Sequence, residues 1–132
     1  MRGKTRLVAL ALAILLLSAM AVQAQNLVGI WRSNIPMSIG SAFSEVVFMP
    51  NGSFSKTFRY GQVFTRDVGT YTVGQGFVHF TILDHEPKYY MGVPMRWPTS
   101  ETWYFQFAGP DTIVFYDRIT NTRWTATRAG YY

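Results

Sequence analysis

A chain of 132 residues holds one small domain, and with 17% aromatic and only 14% charged residues it is too apolar to stay disordered. Cysteine is absent, which excludes a disulfide framework and any thiolate metal centre. The net charge of +5 makes no case for nucleic acid, because Arg2, Lys4 and Arg6 sit in an N-terminal leader that holds no acidic residue, and the body that follows is only weakly basic.

The leader has three parts. Arg2, Lys4 and Arg6 form a positive start, and Leu7 to Leu17 is an unbroken apolar run, too short for a comfortable membrane span. Val22-Gln23-Ala24 then places small residues where a signal peptidase reads. The pattern predicts a signal peptide over 1–24 and a mature chain over 25–132, delivered to the periplasm or secreted. No Cys follows the apolar run, so no lipid can be attached at a new N-terminal cysteine.

All ten Phe, eight Tyr and four Trp fall after the leader. They occur in short runs with β-branched residues, separated by turn signals, which is the spacing of an all-β domain. Eight strands are expected. The first runs from Leu27 to Ser33. The second, Phe43 to Met49, meets the third, Phe54 to Tyr60, across Pro50-Asn51-Gly52-Ser53, a strong hairpin signal. The fourth covers Val68 to Val73, with an earlier extension from Val63, and Gly74-Gln75-Gly76 turns into the fifth, Phe77 to Leu83. One long irregular stretch follows, from Asp84 to Thr99, in which Pro87, Pro94 and Pro98 deny ladder hydrogen bonds. The sixth strand is Glu101 to Phe107, the seventh Thr112 to Arg118 and the eighth Thr122 to Arg128. Consecutive strands with tight turns imply an eight-stranded up-and-down antiparallel barrel, which removes exposed edges and leaves room for side chains or one small ligand.

Alternation assigns the faces. Val78, Phe80 and Ile82 share one face, as do Trp103, Phe105 and Phe107, and Tyr71 lies with Val73. Lys56 falls in the row of Phe54, Phe58 and Tyr60. That lysine either meets a ligand carboxylate inside the barrel or snorkels to water at its mouth.

Four segments together resemble small bacterial lipocalin-like proteins, in the broad calycin sense. They are Leu27-Val28-Gly29-Ile30-Trp31, Asn51-Gly52-Ser53-Phe54, Gly69-Thr70-Tyr71-Thr72-Val73-Gly74 and Trp124-Thr125-Ala126-Thr127-Arg128. The resemblance implies that Trp31 closes one barrel end and that a late arginine, Arg128 before Arg123, packs across its indole. A guanidinium over an indole is worth roughly 0.5–2 kcal/mol. The resemblance also implies binding of small apolar molecules.

His79, Asp84, His85 and Glu86 are the only metal-like cluster, but sequential residues leaving a strand point in different directions, so no metal and no cofactor are expected. Neither histidine has a nucleophile motif beside it, and no catalytic residue is assigned. The terminal Gly130-Tyr131-Tyr132 is similar to the ends of outer-membrane barrels, yet strands of about seven residues fall short of the 9–11 needed to span, and Ser55, Thr57 and Arg59 give a polar outer face. The mature chain is therefore not expected to span a membrane.

Two functions follow. In the first, an exported soluble barrel binds a small apolar or amphipathic ligand without catalysis, lined by Phe54, Lys56, Phe58, Tyr71, Phe80, Trp103, Phe105 and Phe115. In the alternative, the barrel is packed solid and a protein partner docks on the loop 86–99 through Tyr89, Tyr90 and Trp97.

Overall fold

The computed structural model describes residues 2–131, with the side chains of residues 4–15 and 26–131. Tyr132 and the side chains of Val22, Gln23 and Ala24 lie outside the described residues. A helix, α1, spans Arg2–Leu27. Among the described residues no helix is long and apolar enough to cross a membrane. Eight long strands follow: β1 Gly29–Pro36, β2 Ser41–Phe48, β3 Ser53–Tyr60, β4 Val63–Gly74, β5 Phe77–Glu86, β8 Ser100–Gly109, β9 Thr112–Asp117 and β10 Thr122–Gly130. Two short strands, β6 Tyr89–Tyr90 and β7 Val93–Pro94, lie between β5 and β8. The long strands close a barrel in the order β1-β10-β9-β8-β5-β4-β3-β2, every neighbouring pair antiparallel.

Turn chemistry fixes the hairpins. Gly52 takes a φ of +86°, and Asn51 Oδ1 accepts the Ser53 N–H at 3.0 Å, so Asn51-Gly52 links β2 to β3 as a side-chain-braced turn. Asp117 braces the β9–β10 turn in the same way, accepting the Ile119 N–H at 2.9 Å. Gly69 answers a different need, for a Cβ there would stand 1.9 Å from the Thr81 carbonyl oxygen. Only a bare backbone lets β4 approach β5 at this bulge.

The structure shifts three expected boundaries. The first strand starts at Gly29 rather than Leu27, because Leu27 ends α1 and its carbonyl accepts the Trp31 indole N–H at 2.8 Å. β4 runs its full extension from Val63. β5 continues through Asp84, His85 and Glu86, which pair with Val68, Asp67 and Arg66 of β4. Its partnership with β8 stops at Thr81–Ser100, so the end of β5 overhangs with one neighbour and reads as loop from sequence. The irregular stretch beyond it contains the small β6–β7 hairpin, Tyr89 opposite Pro94 and Tyr90 opposite Val93.

The core fills one end of the barrel. Phe80 is its hub: Phe54 and Trp103 each lie 4.8 Å from its ring and Phe48 5.8 Å. Phe115 lies 5.2 Å from Trp103, and Val78, Phe105 and Ile113 complete the packing. Trp31, wholly buried, closes this end. The Arg128 guanidinium stands 4.2 Å from the Trp31 ring and donates to the carbonyls of Val28 (2.6 Å), Asn26 (2.7 Å) and Pro110 (3.2 Å). Gly29, with φ at +138°, makes room for it, since a Cβ would sit 2.8 Å from the guanidinium. Arg123 lies elsewhere, over Tyr116.

Candidate ligand site at the open end of the barrel

The other end of the barrel is hollow. A cavity of about 390 Å³ opens there, within the size range of small-molecule sites. The inward row of each strand changes character as it approaches this end. On β4 the row runs from Tyr71 to Asp67 and Thr65, on β9 from Phe115 to Asp117, and on β10 from Ala126 to Trp124 and Thr122. Small polar side chains replace aromatic ones at the same inward period, and the interior is left empty.

Lys56 forms the floor. It faces Asp67 directly across the β3–β4 ladder, with 3.8 Å between Nζ and the carboxylate. It donates a short hydrogen bond to Glu101 of β8, whose other oxygen accepts the Trp103 indole N–H at 2.7 Å. The ammonium also lies 4.4 Å from the Phe80 ring and 4.6 Å from Trp103, so the hub of the core doubles as its cation–π platform. Lys56 is only 9% exposed. It neither snorkels to water nor stands free for a ligand carboxylate, because this chain's own carboxylates already hold it.

Asp67 is the least satisfied member. Burial pushes its carboxyl above the ordinary range, and the Lys56 ammonium opposes that rise. Its Oδ1 is buried without a hydrogen-bond partner. The Trp97 indole N–H is near enough to favour the ionised form, yet makes no well-formed hydrogen bond and is itself buried unpaired. The cavity wall thus carries one ammonium against the carboxylates of Asp67, Glu101 and Asp117.

The residues expected to line a cavity divide by level along the barrel. Lys56, Phe58 and Trp103 line the hollow. Phe54, Phe80, Phe105 and Phe115 are buried in the packed end and build its floor. Tyr71 is half-buried against Phe48, its hydroxyl donating to the Met49 carbonyl at 2.7 Å, and burial pushes its phenol up. Tyr89 and Tyr90 are exposed on β6. Trp97 turns inward, packing on the core and stacking flat on His85 at 4.9 Å. Sequence reasoning did not single out Asp67, Glu101, Asp117 and Trp124, although each sits on an inward row and the carboxylates are the natural partners for a lysine there.

The histidines and acids of β5 disperse. His79 Nδ1 is 2.8 Å from the Thr102 hydroxyl. Asp84 bonds the His85 N–H and pairs with Lys88 at 3.4 Å, which together hold its carboxyl below the usual range. Among the described residues no group of three His, Cys, Asp or Glu could hold a metal ion. In comparison with known proteins, no family model matches the chain and no curated protein is similar to it in sequence.

Proposed function

We propose that the chain is an exported, lipocalin-like barrel that loses residues 1–24 and binds one small amphipathic molecule at the open end of its mature body. The observation that carries this reading is the half-filled barrel: a hollow of about 390 Å³ walled by Phe58, Trp103 and Trp124 over a charged floor. A core evolved for stability alone would be filled, since an empty volume forfeits contacts on every wall. The polar group of the ligand is a hydrogen-bond donor or a cation. Lys56 is already spoken for, and the acceptors of Asp67 and Glu101 outnumber its donors. The aromatic walls take the apolar part.

The test is titration of the purified protein with Nile red, a neutral probe whose emission responds to apolar surroundings. Saturable one-to-one binding, with a response of tryptophan fluorescence, is expected. Octylamine should displace the probe better than octanoate does. Thr65→Trp, which fills the hollow from β4 without touching the packed end, should abolish binding and keep the unfolding transition. Binding that does not saturate, or that survives Thr65→Trp unchanged, refutes the reading.

The alternative of a solid barrel that binds a protein through the loop 86–99 has one supporting observation: Tyr89, Tyr90, Met91 and Val93 are all more than half exposed. The hollow weighs against its premise of a packed interior.

A further inference from the structure

The exposed apolar side chains of the barrel are confined to one end. Apart from the helix α1 and Tyr131, every large apolar residue that is exposed lies at or near the mouth of the cavity. The four connections at this end each bring some. Met37 and Ile39 come from β1–β2, Val63 and Phe64 from β3–β4, Tyr89 to Val93 from the β6–β7 hairpin and Ile119 from β9–β10. Ile39, Met91 and Ile119 are 80%, 87% and 88% exposed. The turns at the packed end carry Asn51, Gln75 and Asp111 instead.

Met91 sharpens the point. It occupies the first central position of the β6–β7 turn with a φ of +50°, followed by Gly92 at +80°. That geometry calls for Asn-Gly, the pair this chain uses at 51–52, and a bulky side chain there strains the turn. Nothing in the fold rewards the strain, because the Met91 side chain touches solvent. Strain kept at an exposed tip points to use outside the molecule.

The charges choose the partner. Arg59, Arg96, Arg118 and Arg123 are exposed beside these loops, and Lys88 is paired with Asp84, leaving Glu86 as the one exposed carboxylate among them without an ion pair. A second copy would bring like charges together. A protein partner calls for one contiguous patch, whereas these tips stand on four separate loops around an opening. A plane that accepts scattered aromatic and aliphatic tips while attracting arginines is the surface of an anionic bilayer. We infer that the open rim docks on anionic membrane, with Ile39, Tyr89, Tyr90, Met91 and Ile119 entering the headgroup boundary and the cavity mouth facing the lipid.

The test is flotation of the full chain, purified in the form its expression host delivers, with vesicles of phosphatidylcholine alone or with added phosphatidylglycerol. The wild type should float with the anionic vesicles and less so as salt rises. A variant carrying Ile39→Ser, Tyr90→Ser and Ile119→Ser keeps any leader the wild type keeps, so the difference between them reports on the rim alone. Its partitioning should fall on the order of a hundredfold, given the apolar area removed. Met91→Asn is the second variant. It restores the preferred turn, so it should leave thermal stability unchanged or raised while still weakening flotation. Equal flotation of wild type and both variants overturns the inference, as does a wild type that stays in solution with anionic vesicles. If the same tips prove necessary instead for a defined protein complex, with no vesicle binding, the surface belongs to a protein partner and the inference falls.

Discussion

Replacing Lys56 by methionine should destabilise the protein by about 2–4 kcal/mol at neutral pH. At a separation near 4 Å and an effective dielectric near 20, each close ion pair supplies on the order of 4 kcal/mol of gross attraction. Desolvation of the three charges offsets much of it, and removing one partner of a buried pair costs about 3–5 kcal/mol because the other charges stay behind. Glu101 keeps 23% side-chain exposure toward the cavity, so water relieves part of that loss. Methionine retains most of the lysine stem over Phe80 and Trp103 but not the cation. The midpoint of thermal unfolding should drop on the order of 10–20 °C. The pH dependence has a definite sign. Burial raises the folded-state Asp67 carboxyl above its unfolded value, and Lys56 restrains that rise. A raised carboxyl is a cost only when ionised. The cost is absent below the ordinary carboxylate range and grows as pH climbs through the raised value. Without Lys56 the rise is larger, so the penalty of the substitution should shrink in mild acid and widen toward neutrality. Urea unfolding of both proteins at about pH 4 and about pH 7 measures this. An equal loss at the two values, or a loss below about 1 kcal/mol at neutral pH, would mean that Lys56 acts through its stem alone.

Three further substitutions probe the frame. Trp31→Ala should cost about 3–5 kcal/mol in chemical denaturation. Arg128→Lys, which keeps the charge but cannot span the carbonyls of Val28, Asn26 and Pro110, should cost about 1–3 kcal/mol; a neutral result would show that the guanidinium fork is not what seals this end. Gly69→Ala forces the backbones of β4 and β5 apart at Thr81 and should cost at least about 2 kcal/mol, with hydrogen-exchange protection lost first around the bulge. Tyr90→Ser and Trp97→Ser, though neighbours in sequence, should behave differently: calorimetry should find the first within about 0.5 kcal/mol of wild type and the second destabilised by about 2 kcal/mol or more, because Trp97 packs on the core and Tyr90 does not.

Much of this fold is written locally. Period-2 alternation marks the strands and their inward faces, and Asn51-Gly52 announces its hairpin because only residues tolerant of positive φ serve there. Trp31 and Arg128 could be paired by resemblance to lipocalins. What escaped was non-local. The overhang of β5 exists because β4 extends past the end of β8, which no feature of Asp84, His85 and Glu86 reveals. The β6–β7 hairpin hides behind Pro94 and a methionine where a turn residue belongs. Lys56 finds Asp67 directly opposite in register, but Glu101 is 45 residues away in sequence and reaches it only once the barrel is closed.

The division of the barrel into a packed and a hollow half follows from the same rows of residues. Alternation says which way a side chain points, not at which level along the axis it points. Phe54 and Phe58 lie on one face of β3, yet the first meets Phe80 and the second meets the void. Level is set by the stagger between strands, a property of the closed barrel. Composition along each inward row nevertheless carries the signal. A core meant to be filled would continue β4 with bulky apolar residues beyond Tyr71, and this chain places Asp67 and Thr65 there. β10 likewise ends its inward row in Thr122, and β9 ends its row in Asp117. Small polar residues at inward positions, repeated on neighbouring strands at the same end, cannot fill a barrel and are costly to bury unless something meets their hydrogen-bonding groups. Water meets them in the empty protein, and a ligand with a donor at one end and an apolar body behind it would meet both the groups and the aromatic wall.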